Sequence, residues 1–89
     1  MEKKGRKASK KKFVAMDSAT QLKRLGERIK SLRIKAGYSS YEYFAYEHDI
    51  HRAQFGRYEQ GQDLQFSSLV KVITAFGMTL DEFFSEGFD

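Results

Sequence analysis

The chain has 89 residues and a formal charge of +4 at pH 7, from 16 Lys and Arg against 12 Asp and Glu. That length holds one domain, and eight Phe with five Tyr enlarge what each core position can bury. Without Cys there is no disulfide, no thiolate metal site and no Cys nucleophile. No apolar run approaches the roughly 18 residues of a membrane span, and the N-terminus lacks the apolar core of a signal peptide. The expectation is a soluble, intracellular protein.

The charge is unevenly placed. Residues 1–12 carry Lys3, Lys4, Arg6, Lys7, Lys10, Lys11 and Lys12 against Glu2, a local charge of +6 that leaves −2 for the remainder. The basic character is therefore a property of the N-terminal segment. Residues 1–17 combine few apolar groups with a block of like charge. They are expected to be mobile without a partner, either as a solubilising tail or as a basic arm that follows DNA phosphates.

The first predicted helix covers residues 19–36. Leu22, Leu25, Ile29 and Leu32 recur at spacings of three and four, an amphipathic stripe, and Gly37 ends it as a C-cap. Ser39-Ser40-Tyr41-Glu42 reads as an S-x-x-E capping box opening a second helix, with Ser40 as the rival N-cap. The run from Phe44 to Gly61 then reads as two short helices joined by a tight polar turn. Phe44 and Ala45 face inward, Ile50 plugs the turn, and Phe55 with Tyr58 forms one stripe on the third helix. Arg52, Ala53, Gln54, Gly56 and Arg57 are left to point outward. An outward face of arginine, glutamine and small residues is what a DNA major groove accepts.

His48 and His51 flank the turn beside Glu47 and Asp49. With no further His or Cys within reach, they read as a polar turn with one half-buried imidazole, not as a metal site. Asp49 tolerates a left-handed turn residue better than most. After a loop at residues 62–65, a fourth helix at about 66–76 is expected to bury Phe66, Leu69, Val72, Ile73 and Phe76, with Gly77 as its cap. Thr79-Leu80-Asp81-Glu82 is a second capping box and opens a short fifth helix with Leu80, Phe83 and Phe84. Phe84 and Phe88 either close the bottom of the core or form a dimer patch.

The segment FAYEHDIHRAQFGRYEQG (residues 44–61), flanked by LGERIKSLR (25–33) and SLVKVITAFGMTLDEFF (68–84), resembles the helix-turn-helix of the Cro-like (XRE) family of bacterial and phage repressors. Phe44-Ala45, four residues, Ile50, the helix His51 to Tyr58, then Glu59-Gln60-Gly61 match that family's spacing without a gap. The resemblance spans about two thirds of the chain. It implies an all-α, compact five-helix lambda-repressor-like DNA-binding domain over residues 18–89, with a disordered basic tail at 1–17 and a recognition helix at about 51–59. Carried over by position, Arg52, Ala53 and Arg57 touch base edges, and Gln54 reaches a base or a phosphate. Phosphate contacts fall to Tyr41, which stands where the family usually has glutamine, to His51, and to Lys10, Lys11 and Lys12. Arg33 pairs with Glu59 and ties the first helix to the recognition helix.

The function expected from this reading is sequence-specific double-stranded DNA binding by a repressor-like regulator. It would be cytoplasmic and nucleoid-associated, and dimeric through Phe84 and Phe88. The alternative is a protein-interaction module of the same fold, such as an antitoxin or a subunit of a larger regulator. Exposed Tyr41, Tyr43, Tyr46 and Phe88 would favour it, as would the −2 charge outside the tail. An enzyme is not expected: there is no Cys, no glycine-rich phosphate loop and no plausible triad. No cofactor, metal or membrane partner is expected.

Overall fold

Residues 15–89 are described by a computed structural model. Five helices follow in order: α1 (Ser18–Lys35), α2 (Tyr41–Glu47), α3 (Arg52–Glu59), α4 (Phe66–Ala75) and α5 (Leu80–Phe83). Among the described residues there is no strand and no helix long and apolar enough to cross a membrane. The expected mobile tail and the phosphate contacts of Lys10, Lys11 and Lys12 lie outside the described residues, which begin at Ala15.

Local chemistry sets the boundaries. Asp17 is the N-cap of α1. Its carboxylate accepts from the Thr20 amide at 3.3 Å and from the Thr20 hydroxyl at 2.6 Å, and these bonds lower its pKa by favouring the charged form. The helix unwinds through Gly37, at φ 98°, where Tyr38 N–H reaches back to Arg33 O at 3.1 Å. The capping box expected at Ser39 does not form. Ser40 is the N-cap of α2, its hydroxyl accepting from the Tyr43 amide at 3.2 Å. Glu42 receives a hydrogen bond from that same hydroxyl and does not reach back to a cap amide. The second box does form, with Thr79 Oγ1 accepting from Glu82 N at 3.1 Å and Glu82 Oε1 accepting from Thr79 N at 2.9 Å.

Phe44 lies at the centre of the core. Its ring stacks on Phe55 at 5.2 Å and on Phe76 at 5.0 Å between centroids. α1 supplies Leu25, Ile29 and Leu32, and α4 supplies Leu69, Val72 and Ile73, with Phe83 of α5 fully enclosed beneath them. Phe66 departs from expectation. It is 62% exposed, because at the first position of α4 it lies to one side of the face formed by Leu69, Val72, Ile73 and Phe76.

Arg28 closes the other end of the molecule. It is buried on α1, and its guanidinium donates to the carbonyls of Phe83 at 2.8 Å and Glu82 at 3.1 Å. The same group lies over the Phe83 ring at 5.6 Å and faces Glu86 at 3.6 Å. One cation thus bonds the last two carbonyls of the one-turn α5. Phe84 and Phe88 differ in burial. Phe88 is half-buried against the core, whereas Phe84 is 42% exposed with its ring 5.0 Å from that of Phe88.

Candidate nucleic-acid interface

The candidate interface is the outward side of α3 with the turn and loop at its ends. α2 leads into the turn through His48, whose ring lies on Phe44 at 4.3 Å. The chain reverses at Asp49, in the left-handed region at φ 55°. Ile50 N–H then reaches back to Ala45 O at 2.8 Å, and the Ile50 side chain packs on the core. Lys71 of α4 braces the turn by donating to Asp49 O at 2.7 Å. His51 is the N-cap of α3, is exposed, and makes no side-chain cap hydrogen bond. The groups around the turn do not assemble a metal site: among the described residues no cluster of three His, Cys, Asp or Glu side chains is close enough to hold an ion.

α3 leaves the turn with Phe55 fully buried and Tyr58 half-buried. Arg52, Ala53, Gln54 and Arg57 are exposed. Among the described residues neither arginine has a carboxylate within ion-pair distance. With respect to the described residues, both guanidiniums present unpaired planar donor forks, the geometry that matches a phosphate or the N7 and O6 of guanine. Past the helix, Gly61 turns the chain at φ 92°. Gln54, Arg57, Gln62, Gln65 and Ser68 then rim a polar hollow of about 360 Å³ between α3 and the start of α4.

Gly56 is not part of this face. It is buried, and a Cβ built on it would lie 2.7 Å from Cε1 of Tyr41. The expectation that Gly56 points outward is corrected on that ground: its missing side chain makes room for a ring of α2. Tyr41 is correspondingly half-buried and packed on the core, and Phe88 is too. Of the four aromatics expected to be exposed, only Tyr43 and Tyr46 are, at 55% and 80%.

The C-terminal end of α3 is anchored to α1. Arg33 Nε donates to Glu59 Oε2 at 2.7 Å and Arg33 Nη2 to Glu59 Oε1 at 3.0 Å, while Nη1 donates to Tyr38 O at 2.7 Å. Both side chains are nearly sealed from water, at 5% and 7% exposure. The hydrogen bond to Glu59 raises the arginine pKa further and outweighs the opposing effect of burial. Beside the pair, α1 crosses α3 at Gly26, where a Cβ would lie 2.6 Å from Glu59 O and 2.7 Å from Tyr58 O.

Two features of the site are absent from the sequence reading. Gly26 looks like a defect in a helical stripe until the crossing is seen. The second is a contact between the α1–α2 connection and α2, where the Tyr38 hydroxyl donates to Glu47 at 2.7 Å and the Tyr38 and Tyr43 rings lie 5.7 Å apart.

No protein-family model matches the chain, and no curated protein or solved structure matches it.

Proposed function

We propose that the protein is a sequence-specific double-stranded DNA-binding regulator of the repressor type, built on a lambda-repressor-like helix-turn-helix domain and acting in the cytoplasm on nucleoid DNA. One observation carries the reading. Arg52, Ala53, Gln54 and Arg57 lie exposed on a helix fixed at both ends, and neither arginine is neutralised by a carboxylate among the described residues. In this reading Arg52 and Arg57 read guanine edges, Ala53 rests on a thymine methyl, and Gln54 contacts a base or phosphate. His51 and Tyr41 meet phosphates at one end of the helix, and Lys10, Lys11 and Lys12 follow the backbone beyond it. The folded part is near neutral, so nonspecific affinity falls largely to the N-terminal lysines.

Selection from a random double-stranded DNA pool tests this directly. The expected outcome is a short enriched motif whose affinity falls steeply with salt. An unenriched pool would defeat the reading. Exposed Tyr43 and Tyr46 favour a second reading, a protein-interaction module such as an antitoxin or a subunit of a larger regulator. An aromatic protein interface is far less sensitive to salt than a phosphate contact, so one salt titration of the captured partner separates the two.

A further inference from the structure

α3 is held at two places where only a hydrogen atom fits. At its C-terminal end the backbone of Tyr58 and Glu59 presses on Gly26 of α1. In its middle, Gly56 presses on the ring of Tyr41, with Cε1, Cζ and the hydroxyl oxygen at 2.7, 2.9 and 3.2 Å from where a Cβ would stand. The two contacts differ in kind. The first is backbone against helix and cannot yield without moving α1. The second is a side chain of α2 wedged against α3, so its thickness sets the separation of the two helices.

We infer that Tyr41 is a positioning residue whose ring, seated on Gly56, sets the separation of α2 and α3 and with it the placement of the arginines on α3. The inference rests on the DNA-binding reading above and deepens it. Gly56 lies one turn after Arg52 and next to Arg57, and it is buried because the Tyr41 ring covers it. A ring there supports the segment that carries both arginines. Bidentate base contacts require donor forks placed to within a fraction of an ångström. A thinner spacer lets α3 settle toward α2 and takes both arginines out of register together. This role belongs to the ring and is separate from any contact of the hydroxyl with a phosphate. It also accounts for a glycine in the middle of a helix, where it costs about 1 kcal/mol relative to alanine.

The test uses the full chain, a double-stranded site selected by it from a random pool, and a scrambled duplex of equal length. Tyr41→Ala and Gly56→Ala are expected to lower the ratio of selected-site to scrambled affinity at least tenfold, with helical content retained. Tyr41→Phe keeps the ring, so it should weaken both duplexes alike and leave the ratio within about twofold of the unmodified chain. Gly56→Ala should lower the melting midpoint in the Tyr41 background and raise it in the Tyr41→Ala background, because removing the ring empties the space and the higher helix propensity of alanine then prevails. This last measurement remains decisive if Gly56→Ala alone fails to fold. A ratio unchanged by Tyr41→Ala, or one lost equally with Tyr41→Phe, overturns the inference while leaving DNA binding intact. A pool from which the unmodified chain selects nothing overturns the DNA reading and this inference with it.

Discussion

Arg33 makes three hydrogen bonds where water hardly reaches, two to Glu59 and one to Tyr38 O. Two opposite charges buried side by side add little net stability, but removing one strands the other. Arg33→Ala or Glu59→Ala is therefore expected to destabilise the fold by about 3–5 kcal/mol. That is a large part of what a small domain has in total, and it corresponds to a fall in melting midpoint of more than about 10 °C. Thermal unfolding followed by far-ultraviolet circular dichroism measures it, and midpoints unmoved in both variants would deny the pair its anchoring role. Arg52 is the contrasting case, because it is exposed and engaged with no carboxylate among the described residues. Arg52→Ala should leave the melting midpoint nearly unchanged. It should cost about 1–3 kcal/mol of binding to a selected DNA site and relax preference at one position. Loss of affinity with no change in preference would move Arg52 from base reading to phosphate contact.

Between elements, close approach replaces side-chain interdigitation at one crossing. α1 meets the end of α3 at Gly26, with only 2.6 Å from an added Cβ to a carbonyl oxygen. The obstacle is backbone and no rotamer change relieves it. Gly26→Ala should destabilise by about 1–3 kcal/mol, although on an open helix the same change would stabilise by about 1 kcal/mol. The sign of the shift in chemical denaturation decides whether the crossing is as tight as described. The link between the α1–α2 corner and the end of α2 is of another kind, the hydrogen bond from the Tyr38 hydroxyl to Glu47. It lowers the Glu47 pKa, with Tyr43 contributing, and raises that of Tyr38. A carboxylate with a lowered pKa in the fold contributes stability above its unfolded pKa of about 4.3 and loses it as pH falls through the folded value. A phenol with a raised pKa contributes below about 10 and loses it as pH rises through its folded value. Tyr38→Phe should therefore lower the melting midpoint slightly near neutrality. The difference from the unmodified chain should close in acid below about pH 4. A gap that persists unchanged into acid would show that the hydroxyl is not stabilised by the carboxylate.

At the scale of the whole molecule, the basic residues are concentrated at the start of the sequence, and the acidic C-terminal stretch also exposes apolar side chains. The N-terminal segment holds +6, and residues 72–89 hold Asp81, Glu82, Glu86 and Asp89 with no Lys or Arg. In that acidic region Phe84 and Leu80 are each about two-fifths exposed. A single recognition helix reads few base pairs, whereas a two-fold pair reads two half-sites about 34–36 Å apart or a multiple of that. On the proposed DNA reading, homodimerisation through Phe84, with Phe88 beside it, is the arrangement to be tested. Burying a Phe contributes about 1.5–3 kcal/mol, enough for a weak dimer that forms fully on DNA. Phe84→Ser should leave helical content intact and abolish binding to palindromic sites. Adding Phe88→Ser should also loosen the C-terminal segment, since that ring is half-buried. Sedimentation showing a monomer at high concentration, with selected sites lacking any two-fold repeat, would argue for the interaction-module reading.

The sequence by itself determined the all-helical class, the order of the helices and their ends to within one or two residues. Those properties are local: stripes at spacings of three and four, Thr79 with Glu82, and the glycines after three of the helices all act within a turn or two of chain. It also determined which residues of α3 are apolar and inward, because Phe55 and Tyr58 recur at the helical period. The tertiary structure alone decided that Gly26 and Gly56 are contact points, that the Tyr41 ring packs on Gly56, and that Arg28 caps α5 across 55 residues of chain. It also decided that Phe66 faces out although it lies next to the core stripe. Periodicity reports which face of a helix is apolar. The spacing between two helices, and the backbone groups left unsatisfied at their ends, depend on residues far apart in the chain that are brought together only by folding.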